Sequence, residues 1–321
     1  MGGVGMKQVN IMDGIQLEIT NACTLSCANC TRFCGLIKKP YFMPLDDVKK
    51  AIDSTVGYPK FTGFIGGEPL LHPDFEEICK YAASKRDCRQ LGLWTTLPPG
   101  KEKHAQVICD TFYHVYVNDH KRGDIFHWPA LVGIQEVIKD KRKMWNMIDT
   151  CWCQHSWCAS INPKGAWFCE LAGAMAMLWD EGDEDAWPVE EGWWWRTPKD
   201  YVKQMERFCP RCGMAAPIAL RPSIEQVDDV SPLNYESLKD KVRHPERLKI
   251  HDLSTVTEWP TMAAYKDFDY RNRCADKYGM FLIVNETGSW TPYMKTGGKS
   301  TRPEKSIAET YQERFGATCV I

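Results

Sequence analysis

Short apolar runs alternate with amphipathic segments from residue 15 to about residue 148. The apolar runs, the first of which has alternating faces, predict strands, and the amphipathic segments predict helices. Regular alternation of the two predicts parallel strands joined by crossover helices, which is an α/β fold. The predicted strands are Ile15–Thr20, Phe61–Gly66, Gln90–Thr96 and Tyr113–Asn118, and the predicted helices are Asp46–Thr55, Pro73–Lys85, Lys101–Thr111 and Leu131–Lys143.

The pattern changes near residue 151. There, Asn162–Gly165 is a turn between two apolar runs and predicts a β-hairpin. The aromatic run Trp193–Trp195 is predicted to pack in the core of this region rather than to stack on a sugar. Beyond residue 216 the chain is charged and proline-dotted. We therefore divide the chain into residues 1–148, 149–215 and 216–321, the last interpreted as a lid or substrate-docking extension.

Composition narrows the class of protein. The 321 residues carry a net charge of −2 with acids and bases nearly balanced. This balance predicts no nucleic-acid partner and no anionic membrane surface. No stretch is long enough to span a bilayer, and residues 1–12 lack the apolar centre of a secretory leader. The fifteen cysteines therefore predict metal or thiol chemistry in a reducing compartment, the cytoplasm.

Three cysteines directly follow the first predicted strand. They are Cys23, Cys27 and Cys30, in the sequence CTLSCANC. Three thiolates on one loop can hold three corners of a four-iron cluster, and the fourth iron then has no protein ligand. An open metal position is what a catalytic site requires. The alternative is a structural zinc knuckle with Cys34 as its fourth ligand.

A second motif follows the second predicted strand, the sequence Gly66-Gly67-Glu68-Pro69. Glycines permit close approach of the backbone to a ligand because they have no side chain. The cysteine spacing and the GGEP sequence, in this order, resemble the radical S-adenosylmethionine (SAM) enzymes. The resemblance implies a [4Fe-4S] cluster that binds SAM, within a shortened partial (β/α)6 barrel formed by residues 1–148.

The resemblance also implies where SAM lies, because family sites occupy the carboxyl ends of the barrel strands. GGEP would lie near the amino group of SAM, and polar residues at the next two strand ends near its methionine and ribose portions. Ordinary strand-end hydrogen bonding is the alternative for those polar residues. Many members have an aromatic residue before the third cysteine, where this chain has Asn29. The implied contacts are Gly66, Gly67, Glu68, Pro69, Thr95 and Asn118, with Thr96 and Asp119 beside the last two.

A second group of cysteines surrounds the predicted hairpin. A cysteine before the hairpin, one after its glycine and a later C-x2-C pair resemble the Twitch or SPASM extension of radical SAM enzymes. Three residues separate Gly165 from its cysteine where the family usually has four, and the single C-x2-C pair favours one auxiliary iron–sulfur cluster, a [4Fe-4S] cluster, as in Twitch. A four-cysteine zinc ribbon is the alternative. The implied ligands are Cys169, Cys209 and Cys212 with Cys151 as the fourth, Cys153 being its close rival and Cys158 being predicted to pack in a strand.

The function implied by the resemblance is cleavage of SAM to a 5′-deoxyadenosyl radical, which takes a hydrogen atom from a small polar substrate such as a sugar, cyclitol or aminoglycoside precursor. The auxiliary cluster would assist oxidation or epimerisation, and a flavodoxin or ferredoxin would supply electrons. No catalytic residue and no oligomeric state can be assigned by spacing. A peptide-modifying maturase and a zinc-stabilised binding protein without catalysis are the alternatives.

Overall fold

The computed structural model describes residues 6–118, 120, 125–151, 153–154, 158–256, 281–284 and 290–293. Its centre is a six-stranded sheet of order β4-β3-β2-β1-β6-β7. The first five strands in this order run parallel to their neighbours, and β7 is antiparallel to β6. These strands are β1 (Gly14–Thr20), β2 (Phe61–Gly66), β3 (Leu91–Thr95), β4 (His114–Val117), β6 (Cys158–Asn162) and β7 (Gly165–Trp167).

Helices connect the parallel strands, as the alternating pattern predicts. Helices α1, α2 and α3 follow β1, β2 and β3 in turn and pack side by side. The mostly parallel sheet is consistent with a partial radical SAM barrel. The described helices are α1 (Leu45–Ser54), α2 (Phe75–Lys85), α3 (Ala105–Thr111), α4 (Ile134–Val137), α5 (Lys141–Asp149), α6 (Glu170–Trp179), α7 (Val202–Phe208) and α8 (Pro232–Leu238).

The central strand β1 is buried on both faces. Its alternating pattern separates an apolar face, with Ile15 and Leu17, from a polar face, with Gln16 and Glu18, and all four side chains are buried. The polar face is therefore not a solvent face. Glu18 is instead paired with the buried guanidinium of Arg32, as buried charges require.

The predicted hairpin forms, and it extends the central sheet. Strand β6 pairs with β1 on the side opposite β2. Gly165 adopts φ 140° in the turn, and a Cβ there would lie 2.6 Å from the carbonyl oxygen of Trp187. Cys158 is buried at the start of β6, where it was predicted to pack. The sheet thus crosses the boundary predicted at residue 148, and the domain division remains a prediction.

Two expectations are wrong in detail. The helix predicted over Leu131–Lys143 is two helices, because the backbone is extended at Ile138, directly after α4. The carboxylate of Asp140 then accepts a hydrogen bond from the amide of Lys143 and caps the N-terminus of α5. Of the predicted core tryptophans, Trp193 and Trp194 are buried, whereas Trp195 is 60% exposed.

The chain after residue 216 packs beside the sheet through short strands. Strand β8 pairs with β5, β9 pairs with β10, and β11 forms a hairpin with β12. No helix in the described part of the chain is long and apolar enough to cross a bilayer. The short strands are β5 (Phe126–His127), β8 (Arg221–Pro222), β9 (Asp228–Val230), β10 (Leu248–Ile250), β11 (Phe281–Val284) and β12 (Trp290–Tyr293).

Candidate metal centres and cofactor site

The first thiol group lies on the loop that leaves the carboxyl end of β1. Cys23, Cys27 and Cys30 are partly buried free thiols. Tight turns shape the loop, since Asn29 has a left-handed backbone with φ 48°, and the carbonyl of Cys30 accepts a hydrogen bond from the amide of Phe33 at 2.9 Å. The structure therefore brings the three predicted ligands together at the edge of the sheet where family sites lie.

A fourth thiol, Cys34, joins this group. Its hydrogen bond to Cys30 lowers the pKa of Cys30, and its hydrogen bonds with Cys23 and Cys30 raise the pKa of Cys34 itself. Burial raises the pKa of Cys27, and the Cys30 and Cys23 thiols raise it further. The thiol required by the zinc-knuckle alternative is thus also present, and metal and sulfide analysis is needed to distinguish the two.

The glycines of GGEP pack against the start of the cysteine loop. A Cβ on Gly66 would lie 1.7 Å from the carbonyl oxygen of Thr20, and one on Gly67 would lie 2.2 Å from that of Ala22. Gly67 donates its amide to Thr20 at 2.8 Å, and Glu68 donates its amide to Ala22 at 2.7 Å. The close approach that excludes a side chain is therefore between two stretches of this chain's own backbone, where the sequence analysis placed a ligand.

Glu68 is fully buried and holds the ends of β2 and β3 together. Its Oε1 accepts hydrogen bonds from Thr95 Oγ1 at 2.6 Å and from the Leu70 amide at 3.1 Å. Its Oε2 accepts from the amide and hydroxyl of Thr96 at 2.7 and 2.8 Å. Thr95 Oγ1 in turn accepts from the Leu97 amide at 3.0 Å. Two residues predicted separately as cofactor contacts thus bind each other, and Thr95 makes the strand-end hydrogen bonds that the alternative expects.

The remaining predicted contacts lie at the same edge of the sheet. Pro69 is buried at the start of the 3-10 turn Pro69–Leu71, where its fixed φ suits the turn. Asn118 is partly buried directly after β4, and its amide donates to the carbonyl of Thr95 at 2.9 Å. Asp119 lies outside the described residues. Contact of any of these residues with SAM remains a prediction.

The segment after residue 216 contacts the cysteine loop, which the sequence analysis did not predict. Asn29 Nδ2 donates to Asp229 Oδ2 at 2.9 Å, and Asn29 Oδ1 accepts from the Asp229 amide at 2.7 Å. Arg247 donates to the carbonyls of Ser26 and Cys27 at 3.0 Å each. Asn29, at the position where many radical SAM enzymes have an aromatic residue, is thus hydrogen-bonded to the chain after residue 216.

The second thiol group surrounds an apolar cavity. Three helices place the thiols, because α5 ends two residues before the first of them, α6 begins directly after the central one, and α7 ends just before the C-x2-C pair. The cavity wall is otherwise mostly apolar, with side chains such as Met6, Phe168 and Met175. Its five thiols are those of Cys151, Cys153, Cys169, Cys209 and Cys212.

Hydrogen bonds distinguish the thiol of Cys169 from its neighbours. Cys153 Sγ lies 4.0 Å from Cys169 Sγ and 3.9 Å from Glu170 Oε1. The hydrogen bond with Cys153 lowers the pKa of Cys169, as do the amides of Leu171 and Ala172 in the first turn of α6. A thiol at a helix N-terminus is a favourable position for a thiolate ligand.

Cys151 and Cys153 interact with different members of the second thiol group. Burial raises the pKa values of Cys209 and Cys212, and nearby thiols, Cys151 and Cys169 among them, raise both further. Cys153 is instead influenced by Cys169, Glu170 and Cys151. Both thiols line the cavity, and the choice of Cys151 as the fourth ligand remains a prediction.

Arg32 connects the two thiol groups. It follows Cys30 by two residues, its side chain is 3% exposed, and its Nη1 lies 2.5 Å from Glu18 Oε1. Its Nη2 lies 3.5 Å from Glu170 Oε1, one residue beyond Cys169. Burial raises the pKa of Glu170 to about 7, although Arg32 opposes this rise. A buried cation thus stands between two groups of potential thiolates.

The donor sets fit iron–sulfur clusters. Thiolates are soft ligands, and a four-iron cluster binds each of its thiolates at a different iron, so its ligands stand around a volume rather than a point. The five thiols around the apolar cavity have this arrangement. Within the described ranges, no three His, Cys, Asp or Glu side chains converge closely enough to hold a single metal ion.

Comparisons with known proteins give one family match. No curated protein sequence matches this chain. Among solved structures, a chain described as "Crystal structure of BtrN in complex with AdoMet and 2-DOIA" is 14% identical with a TM-score of 0.39, and the similarity covers 62% of this chain and 88% of that one. Residues 17–114, which contain the first thiol group and GGEP, match the Radical SAM superfamily.

Proposed function

We propose that this protein is a radical SAM enzyme that holds a [4Fe-4S] cluster through Cys23, Cys27 and Cys30. The observation that carries the proposal is the match of residues 17–114 to the Radical SAM superfamily, in a segment that places these thiols on one loop after β1. When bound, the cluster would supply the electron that cleaves SAM to methionine and a 5′-deoxyadenosyl radical, which takes a hydrogen atom from the substrate.

The chain's own residues supply the framework for this reaction. Three thiols leave one iron without a protein ligand, which is where SAM would bind. Glu68, Thr95 and Thr96 fix the ends of β2 and β3 beside the loop. A rigid frame matters because the radical must meet its target carbon at short range and away from water.

The substrate we propose is small and polar, such as a sugar, cyclitol or aminoglycoside precursor. Support comes from buried polar atoms on and beside the polar face of the central strands that have no hydrogen-bond partner among the described residues, namely Arg32 Nε, Glu170 Oε2 and Ser160 Oγ. Buried polar atoms are nearly always satisfied in native proteins. Hydroxyl or amino groups of a polar ligand would satisfy them, whereas an apolar ligand would not.

The second thiol group is proposed to hold one auxiliary [4Fe-4S] cluster through Cys151, Cys169, Cys209 and Cys212. The arrangement of five thiols around an apolar cavity supports this ligand set. When bound, this cluster would supply an acceptor for the electron that a substrate radical gives up on oxidation. Epimerisation, in which a thiol returns a hydrogen atom to the radical, is the second outcome, and flavodoxin or ferredoxin is the proposed electron donor to the enzyme.

Metal and sulfide analysis of protein purified without air tests the proposal. Two four-iron clusters predict about eight irons and eight sulfides per chain, and replacement of Cys23, Cys27 and Cys30 by alanine should remove about half of each and abolish SAM cleavage. Zinc without sulfide would overturn the proposal and support the zinc-stabilised binding protein. Incubation of candidate polyols with SAM and reductant then separates the two outcomes, because only oxidation gives a carbonyl product.

A further inference from the structure

Arg247 holds the backbone of the cysteine loop from a distant part of the chain. Its Nη1 and Nη2 donate to the carbonyl oxygens of Ser26 and Cys27, each at 3.0 Å. Its Nε donates to Asp228 Oδ2 at 2.9 Å, and the side chain is only 10% exposed. All three nitrogens of the planar guanidinium thus donate hydrogen bonds to fixed partners. A lysine ammonium cannot reproduce this geometry.

Gly35 leaves room for the guanidinium of Arg247. A Cβ on Gly35 would lie 2.9 Å from Arg247 Cζ, so a larger residue there would displace the guanidinium. Asp228, which orients Arg247, and Asp229, which binds Asn29, are neighbours on β9. Strand β9 therefore supplies two adjacent carboxylates that hold the loop. Asp228 binds Arg247, which contacts Ser26 and Cys27, and Asp229 binds Asn29.

The contact between Asp229 and Asn29 is held in place by another residue of the chain after residue 216. Asp229 is held by Arg221, whose Nε and Nη2 donate to its two carboxylate oxygens at 2.6 and 2.7 Å. On the other side of the loop, His127 donates from Nδ1 to the carbonyl of Ala28 at 2.7 Å, and the Ala28 amide donates to the carbonyl of Ser223 at 2.8 Å. The residues between the second and third thiols are thus bound on several sides.

Such contacts matter because the loop has no helix or strand of its own between Cys23 and Cys30. Backbone groups outside regular structure need other partners when they are buried. Groups that orient metal ligands from outside the coordination sphere commonly change metal affinity by about 10- to 100-fold when they are removed. Arg247 occupies that position relative to Cys27.

We propose that Arg247 is a positioning residue of the first metal centre, which holds the backbone at Ser26 and Cys27 so that the three thiols keep the spacing that a cluster requires. The inference rests on the proposed function. The segment around β9 and β10 is then a fixed part of the cluster site, and the lid or docking role of residues 216–321 remains a prediction. The cation also lies near the Cys27 thiol, so its charge contributes as well as its geometry.

The test compares Arg247→Gln and Arg247→Lys with Arg86→Gln as a matched control. Arg86 is also buried and donates to three backbone carbonyls, those of Thr55, Tyr58 and Lys60, far from either thiol group. Each full-length protein is reconstituted without air and exposed to an iron chelator. The decay of the SAM-responsive reduced-cluster resonance gives the lability of the first cluster, and hydrogen exchange of peptides covering residues 23–34 gives the mobility of the loop.

We expect Arg247→Gln to lose the SAM-responsive resonance about tenfold faster than the wild type or more, with faster exchange confined to residues 23–34 and to the segment around Arg247. Arg247→Lys should lie between the two, since it keeps the charge and loses the fork. Arg86→Gln should match the wild type in both readouts even if its melting temperature falls.

Two failures are distinguishable. If the wild type forms the resonance and Arg247→Gln loses it no faster than Arg86→Gln, the positioning role is wrong while the proposed function stands. If the wild type binds no iron–sulfur cluster at all, the proposed function is wrong and the inference falls with it.

Discussion

Glu68 Oε1 accepts a 2.6 Å hydrogen bond from Thr95 Oγ1, which joins the second residue after β2 to the last residue of β3. The buried carboxylate accepts four hydrogen bonds from Thr95, Thr96 and Leu70 in total. The GGEP glutamate therefore acts here as a brace between two strand ends.

The first prediction concerns Glu68→Gln. The N–H groups of a glutamine amide would face the hydrogen-bond donors of Leu70, Thr95 or Thr96, which now face a carboxylate oxygen. At least one of these buried donors would then lose its acceptor. We expect the free energy of unfolding to fall by about 2 to 3 kcal/mol in urea denaturation followed by circular dichroism. Glu77→Gln is the control, since Glu77 is 54% exposed and forms a surface ion pair with Lys49. A difference between the two variants of less than about 0.5 kcal/mol would show that the brace is unimportant.

The second prediction concerns Gly67→Ala. The added methyl would lie 2.2 Å from the carbonyl oxygen of Ala22, so the start of the cysteine loop must move. We expect this variant to retain its helical circular dichroism and to bind about four fewer irons per chain after reconstitution. In Gly100→Ala nothing lies within 4 Å of the new methyl, and this control should keep its iron despite its positive φ. Full iron content in both variants would contradict the packing argument.

The third prediction concerns pH. Burial raises the pKa of Asp229, but hydrogen bonds from Arg221, His251 and Asn29 outweigh it and keep the pKa well below the usual range. The Asp229 carboxyl therefore binds a proton more readily in the unfolded state than in the folded state. The stabilisation that its hydrogen bonds give to the folded state is complete above about pH 4 and is lost as the pH falls further. We expect Asp229→Asn to cost about 3 kcal/mol at pH 7 and to show a shallower loss of stability in acid than the wild type.

Urea denaturation at a series of pH values measures this effect. Asp110→Asn is the control, because Asp110 is exposed on α3 and accepts its hydrogen bond from Gln106. Parallel acid slopes for the wild type and Asp229→Asn would mean that Asp229 does not carry the predicted linkage.

The fourth prediction separates the rival auxiliary ligands. Cys151→Ala should lose the auxiliary cluster and about four irons, because Cys151 interacts with both Cys209 and Cys212. Cys153→Ala should retain the cluster, since Cys153 faces Cys169 and Glu170. Iron and sulfide content per chain is the measurement. The opposite pattern would make Cys153 the fourth ligand.

Local sequence patterns predicted the central sheet well. The strands, the hairpin turn at Gly165 and the first thiol group are all set by residues close together in the chain. The polar face of β1 could not be interpreted in this way, because Glu18 is buried only through its pairing with Arg32. The break after α4 was missed because the backbone is extended at Ile138, although the apolar pattern predicts a helix there.

The attachments of the cysteine loop could not be predicted from sequence. Arg247 and Cys27 are 220 residues apart, and one arginine in a charged, proline-dotted segment has no local pattern that selects it. The roles of Glu68 and Thr95 were missed for the same reason, because their mutual hydrogen bond depends on the register of β2 and β3. The sequence predicted that Glu68 and Thr95 lie at the carboxyl ends of neighbouring strands. Their hydrogen-bond partners depend on the three-dimensional fold.

The most direct test of the central claim is electron paramagnetic resonance of full-length protein in which Cys169, Cys209 and Cys212 are replaced by alanine, so that only the first thiol group can hold a cluster. After reduction without air, this variant should show the resonance of a reduced [4Fe-4S] cluster, and added SAM should change its g values. A resonance that SAM leaves unchanged, or zinc in place of iron and sulfide, would contradict the assignment of Cys23, Cys27 and Cys30 as the ligands of a SAM-binding cluster.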